Sequence, residues 1–237
     1  MNPPEKPSLP ERLAAIQERV AAAASKSGRE PAGIRLVAAT KSQPPETVAE
    51  LFTLGIRDVG ENRVQEAAAK QDALGSRGIW HFIGHLQKNK AHAATHRFDW
   101  VQSVDSLDLA QALSRGAVNL GRTISILIQV NVSGESSKFG VAPEGAEKLA
   151  REINGLPGLE LQGFFTIAPY ADDPEASRPV FAGLREIRDL VQKNTGFVLP
   201  VLSMGMSHDF MIAIEEGSTM IRIGTALFGP RKTPIGR

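Results

Sequence analysis

Leu36-Val37-Ala38-Ala39-Thr40-Lys41 is a short apolar run, bounded by charged and proline-rich sequence and closed by a lysine. An uninterrupted apolar run of this length reads as an interior strand of a parallel sheet, buried on both faces. Lys41 then stands where the strand stops. Alone, a lysine in that place is an ordinary solvated side chain. What it does depends on what the rest of the chain brings beside it.

Working outward, Ser8 followed by Glu11, with Pro10 in the first turn, is a capping-box start, and Leu13, Ile16, Val20 and Ala23 recur at helical spacing. A helix is predicted over 9–26, ending near Gly28. After the strand at 36–41 comes a helix over 46–54 with Val48, Leu51 and Phe52 inward and Gly55 as its stop. The alternation continues with strands at 56–59, 79–83, 100–104, 124–130, 159–165, 198–203 and 219–223. Helices are predicted between them over 62–74, 86–94 and 107–113, then around Ala146 to Ile153, Val180 to Val191, and Phe210 to Ile214. Eight strands alternating with helices in this length predict a single (β/α)8 barrel of the TIM type. A doubly wound open sheet is the alternative, because periodicity does not report closure. The longest connections, 131–143 and 166–175, leave strands five and six, on the face where barrels carry functional loops.

The 237 residues, 42% hydrophobic and 22% charged, suffice for one domain with a substantial core, predicted over 1–237 with flexible ends at 1–8 and 230–237. Twenty-seven basic residues against 26 acidic leave a net charge of +1, and no basic run exceeds Lys88-Asn89-Lys90, so no nucleic-acid footprint is expected. The absence of cysteine excludes a disulfide framework, a thiolate metal site and a cysteine nucleophile. The first residues lack the apolar core of a secretory signal, and no stretch approaches the roughly 20 apolar residues that span a bilayer. A cytoplasmic protein without membrane attachment is expected.

Barrel enzymes commonly hold a phosphate with the loops after strands seven and eight and the N-terminus of a short helix. Here those loops are Ser203-Met204-Gly205-Met206-Ser207 and Arg222-Ile223-Gly224-Thr225. Gly205 is expected to let the backbone approach an anion. Ser207 would donate its hydroxyl and cap a helix beginning near His208, and Gly224 and Thr225 would add further donors. Closure of the barrel sets Lys41 beside strand eight. An amine on a dry rim close to a bound phosphate can have its pKa lowered by desolvation and capture an aldehyde as a Schiff base. The cofactor that combines an aldehyde with a phosphate is pyridoxal 5′-phosphate. His92 and His96 have helical i, i+4 spacing but no carboxylate motif nearby, so no metal is expected. His81 is read as lining the pocket, and Lys138 and His208 as solvated rim groups able to meet anions.

Several motifs together carry a resemblance: Ala39-Thr40-Lys41, Gly60-Glu61-Asn62, Trp80-His81-Phe82-Ile83-Gly84-His85-Leu86-Gln87, Ser137-Lys138-Phe139-Gly140, Ser203 to Ser207, and Gly217 to Thr225. In this order, across 34–229, they resemble the pyridoxal phosphate homeostasis proteins, stand-alone relatives of the N-terminal barrel of alanine racemase. The resemblance implies that Lys41 carries the cofactor, that Ser207, Gly224 and Thr225 hold its phosphate, that Arg222 faces the pyridine nitrogen, and that Asn62 lies near the phenolic oxygen. An arginine there stays charged and leaves the ring nitrogen unprotonated, which makes the ring a poorer electron sink. Phe165 stands where the family more often has methionine. Tyr170, the one tyrosine, is read as a loop residue and not as a catalytic base. The expectation is storage, buffering or delivery of pyridoxal phosphate to apoenzymes, with no catalytic residue assigned and a monomeric state. A racemase-like enzyme is the alternative, and it would need a second base.

Overall fold

The computed structural model describes residues 7–75, 77–135 and 138–230. Helix α1 (Leu9–Lys26) opens the chain. The Glu11 carboxylate accepts from the Ser8 backbone N–H at 2.7 Å and the Ser8 hydroxyl accepts from the Glu11 N–H at 3.4 Å, a reciprocal cap. Then come β1 (Arg35–Ala39), β2 (Asp58–Glu61), β3 (Ile79–Phe82), β4 (Trp100–Val104), β5 (Ile124–Gln129), β6 (Leu159–Phe165), β7 (Val201–Met206) and β8 (Met220–Ile223). Every neighbouring pair is parallel, and β8 returns to β1 with Val37 opposite Arg222 and Ala38 opposite Ile223, which closes the barrel. The intervening helices are α2 (Pro45–Thr53), α3 (Val64–Leu74), α4 (Ala91–Arg97), α5 (Leu107–Asn119), α6 (Ala146–Ile153), α7 (Arg178–Thr195) and α8 (Phe210–Glu215), with a one-turn α9 (Thr225–Phe228) after β8.

The period of two along each strand divides the core into two layers. Ala38, Val59, Phe82, Val101, Ile126, Leu202 and Ile221 face outward and join the apolar faces of the helices. Val37, Leu127, Phe165 and Met220, all within 1% of full burial, fill the barrel interior. The open-sheet alternative is thereby excluded. Helix α1 packs on α8 and α9 and takes the place of the eighth outer helix.

Several boundaries differ from those predicted. Strand β7 was expected over 198–203 and runs Val201–Met206: Val198 is 81% exposed, Pro200 has no N–H to give the ladder, and Met204 and Gly205 are buried. Strand β2 lies two residues later than 56–59 because Gly60, lacking a Cβ, makes room for Ile83 and Val37. Helix α4 starts at Ala91, after a 3-10 turn at Lys88–Lys90, and α5 extends to Asn119. The flexible ends expected at 1–8 and 230–237 fall mostly outside the described residues, as does Ser137 of the Ser-Lys-Phe-Gly motif.

Candidate functional site

Strand β1 ends at Ala39, and Lys41 sits in the turn that follows. That turn is clamped from below. The Thr40 hydroxyl donates to Glu61 Oε1 at 2.6 Å, and Lys70 Nζ, from α3, donates to the Thr40 carbonyl at 2.8 Å and to the same Glu61 oxygen. Glu61 is 0% exposed and Lys70 5%. Burial pushes the Glu61 carboxyl above its ordinary range, opposed by the bonds from Lys70 and Thr40. Ser42, next to the lysine, has φ +64°, the one positive φ outside glycine among the described residues, with its N–H on Glu66 Oε2 at 3.3 Å. Backbone held in that region marks a turn whose shape the surroundings impose.

Lys41 opens onto a cavity of about 680 Å³ at the C-terminal mouth of the barrel. Asn62, Ser207, Arg222, Gly224 and Thr225 line the same cavity, so all six residues singled out in the sequence converge. Around them stand Ala39, Ile83, Ile167, Tyr170, Met206 and His208. Asn62 comes immediately after β2, and its Oδ1 is buried without a hydrogen-bond partner among the described residues. Gly84 lets it sit there, since a Cβ on residue 84 would lie 2.8 Å from the Asn62 carbonyl oxygen.

Arg222 projects from β8 and is 4% exposed. Its Nη1 donates to Ser203 Oγ at 2.7 Å and its Nη2 to the Thr166 carbonyl at 2.9 Å, and the guanidinium lies 4.2 Å from the centre of the Phe165 ring. Among the described residues no carboxylate pairs with it, and desolvation pushes its pKa down to about 9, which still leaves it charged at neutral pH. Phe165 therefore supplies a ring face to the cation.

The phosphate-side expectations need two corrections. Ser207 does not cap the helix that follows it. α8 begins at Phe210 behind Asp209, whose Oδ1 instead accepts from the Met206 N–H at 2.6 Å. The Ser207 hydroxyl oxygen accepts from Gly224 N–H at 3.2 Å and Ala226 N–H at 3.1 Å, bridging β7 to the start of α9 and keeping its own proton for an anion. Gly205 also serves a different purpose from the one expected. At φ +94°, with a hypothetical Cβ 2.6 Å from that of Ala213, it lets β7 pack against α8.

His81 does not reach the cavity. It is fully buried one layer below, between Asp58 and Gln102, and burial holds its pKa down. His92 and His96 meet edge to face at 4.9 Å along a groove between α3 and α4, and among the described residues no group of three potential metal ligands forms. Lys138 donates to the Ile167 carbonyl at 3.5 Å on the rim. Tyr170, 82% exposed, leans on His208 with ring centres 5.4 Å apart, and its hydroxyl has no partner among the described residues. Sequence reading missed the supports Lys70, Gln102 and Thr166. Gln102 left a signal: a lone amide at an inward position of a strand buried on both faces.

A closed parallel barrel with a lysine after its first strand, a buried arginine on its last and a serine bridging strands seven and eight is of the racemase barrel class. The family model for the N-terminal domain of alanine racemase matches residues 12–232. The chain is 44% identical over 223 residues to the pyridoxal phosphate homeostasis protein of Aquifex aeolicus, covering 94% of this chain and 98% of that one. The structure of PipY from Synechococcus elongatus with PLP bound is similar at 35% identity and TM-score 0.82, covering 94% of this chain and all of that one. An alanine racemase of Clostridium difficile shares the fold at 17% identity and TM-score 0.75, with 94% of this chain matched to 58% of the racemase. The chain belongs to the pyridoxal phosphate homeostasis protein family.

Proposed function

We propose that the protein binds pyridoxal 5′-phosphate at the C-terminal mouth of its barrel, holds it covalently through the amine of Lys41, and serves in its storage, buffering or delivery. The residues present suit that group. Asn62 Oδ1 is a buried acceptor in want of a donor, Ser207 keeps a proton for a phosphate oxygen beside Gly224 and Thr225, and Arg222 offers a fixed cation to the ring. When bound, the cofactor supplies an aldehyde for an amine and a ring that can withdraw electrons.

The observation that carries the choice between carrier and catalyst is the buried Arg222, which pairs with no carboxylate among the described residues. An arginine gives up no proton to the ring nitrogen, so electron withdrawal stays weak. Tyr170, another candidate for proton transfer at the rim, is 82% exposed, with the His208 ring beside it and no hydrogen bond to its hydroxyl among the described residues. The relatives' name and the PLP-bound PipY support the same reading. We further place the protein in the cytoplasm, where apoenzymes are made, as a monomer whose partners are those apoenzymes.

The test is the yellow imine absorbance of purified protein incubated with pyridoxal phosphate. It is expected in the wild type and lost in Lys41→Ala. Ser207→Ala should keep the colour and release the cofactor faster, on the order of tenfold for one charge-assisted hydrogen bond. Incubation with L-alanine should yield no D-alanine beyond the uncatalysed background. Turnover at the 1–10³ s⁻¹ typical of enzymes would overturn the carrier reading.

A further inference from the structure

Below the cavity, the barrel interior departs from the apolar layers that usually fill it. Buried polar side chains cross it in one connected row. Arg222 Nη1 donates to Ser203 Oγ at 2.7 Å, and the Ser203 hydroxyl donates to Gln102 Oε1 at 2.7 Å. Gln102 Nε2 then lies 2.9 Å from His81 Nδ1, and His81 Nε2 lies 2.8 Å from Asp58 Oδ1. Ser203, Gln102 and His81 are each 0% exposed. The row begins on β8 near the cavity and ends on the first residue of β2, so it joins the two mouths of the barrel.

The direction of every proton in the row is set from both ends. A guanidinium only donates, so Ser203 must accept from Arg222 and has its own hydrogen to pass on. A carboxylate only accepts, so His81 donates from Nε2. Desolvation keeps the imidazole neutral, so its Nδ1 accepts, and Gln102 must turn its amide N–H₂ toward His81. The remaining amide hydrogen of Gln102 points at Met220 Sδ, 3.1 Å away, which leaves Oε1 for Ser203. The two deductions meet at Gln102 without conflict. The charged groups around His81 are Asp58, Asp99 and Arg35, the last lying 3.7 Å from the same Asp58 oxygen and over the Trp100 ring that stacks on the imidazole.

We propose that Asp58, His81, Gln102 and Ser203 are positioning residues: a one-way hydrogen-bond relay through the barrel that fixes the guanidinium of Arg222 where a pyridine nitrogen is met, with the Asp58 carboxylate as the acceptor that ends it. The inference rests on the cofactor reading above. Without the relay Arg222 would keep only its bond to the Thr166 carbonyl and its stacking on Phe165, and a long side chain so held has rotamers to lose on binding.

Two measurements test it. Nitrogen NMR on cofactor-free protein should find His81 neutral, with its proton on Nε2, between about pH 6 and 8 where a free imidazole titrates. An imidazolium at pH 7, or a proton on Nδ1, would overturn the relay whether or not the cofactor binds. In the loaded protein, Ser203→Ala severs the relay beside Arg222 with minimal change in volume. It should speed cofactor release on the order of tenfold, the scale of one buried hydrogen bond, with Ser203→Thr restoring the wild-type rate. Asp58→Ala removes the acceptor that ends the row and should also speed release, with Asp58→Asn, which keeps an acceptor for His81, restoring the wild-type rate. Unchanged release in both Ser203→Ala and Asp58→Ala would refute the positioning role. A wild type that takes up no cofactor would instead sink the cofactor reading and leave the NMR result to judge the relay.

Discussion

His81 shows how a single side chain can be conspicuous in a sequence and still be misread. It lies in a motif of the family resemblance and was expected in the pocket wall, yet the structure buries it completely behind the site. Depth along the barrel explains the difference. It faces the barrel interior one layer below Ile83, and only Ile83 reaches the cavity. Its depressed pKa has a measurable sign. The unfolded chain takes up a proton here as the pH falls through the ordinary value of 6.5, and the folded chain resists doing so until a lower pH. The stability contribution is therefore full above that value and is lost as the pH drops toward the folded pKa. In that window the slope should approach about 1.4 kcal/mol per pH unit for one proton. His81→Gln can accept from Gln102 and donate to Asp58 but does not titrate, so denaturant melts at several pH values should show a flatter profile. Parallel profiles for the two proteins would show that this imidazole is not held neutral.

Between β2 and α3 the decisive contact is also one that patterning does not reveal. Lys70 reads as a polar position on a helix, and Glu61 as the polar end of a strand. They meet because β2 runs two residues further than its apolar stretch. Removing the cation alone strands a carboxylate in the core. Lys70→Met should cost about 3–5 kcal/mol in denaturant melts, and adding Glu61→Gln should recover much of it. Equal losses in the single and double variants would mean the two groups are uncoupled. The same kind of displacement moved β7 three residues, since a strand ending in Ser-Met-Gly-Met resembles a loop until the barrel buries it. The sequence therefore disclosed the order and type of every major element, from hydrophobic period and caps. It concealed the registers, which depend on neighbouring strands and on where a missing Cβ makes room. Of the six cavity residues, Ser207, Gly224 and Thr225 were legible from their place after strands seven and eight, Lys41 from barrel closure, and Asn62 and Arg222 only through the family resemblance. Their supports, Gln102, Lys70 and Thr166, answer to partners far away in the chain.

On the scale of the whole molecule, α1 substitutes for the helix that would otherwise follow β8. Leu13, Ile16, Val20, Ala23 and Ala24 are buried against α8 and α9, Lys26 pairs with Glu215 at 2.7 Å, and Arg29 donates to the carbonyls of Ile214 and Ser218 at 2.9 and 2.8 Å. Each large aliphatic side chain so buried is worth about 1.5–3 kcal/mol, which together rivals the net stability of a typical domain. Deleting residues 1–28 should abolish cooperative unfolding, seen as loss of the near-ultraviolet circular dichroism of the aromatic core. A truncated chain that still melts in one sharp transition would show that the barrel closes without its first helix. Because β8 closes against β1, the cavity straddles the joint between the first strand and the last. Lys41 leaves the ribosome well before Gly224 and Thr225, more than 180 positions further along. On the proposed reading, a chain without β8 offers an amine with no cradle for the phosphate, and capture waits until β8 has been made and closes on β1. A ligand held there from both sides would tie the first strand of the barrel to the last.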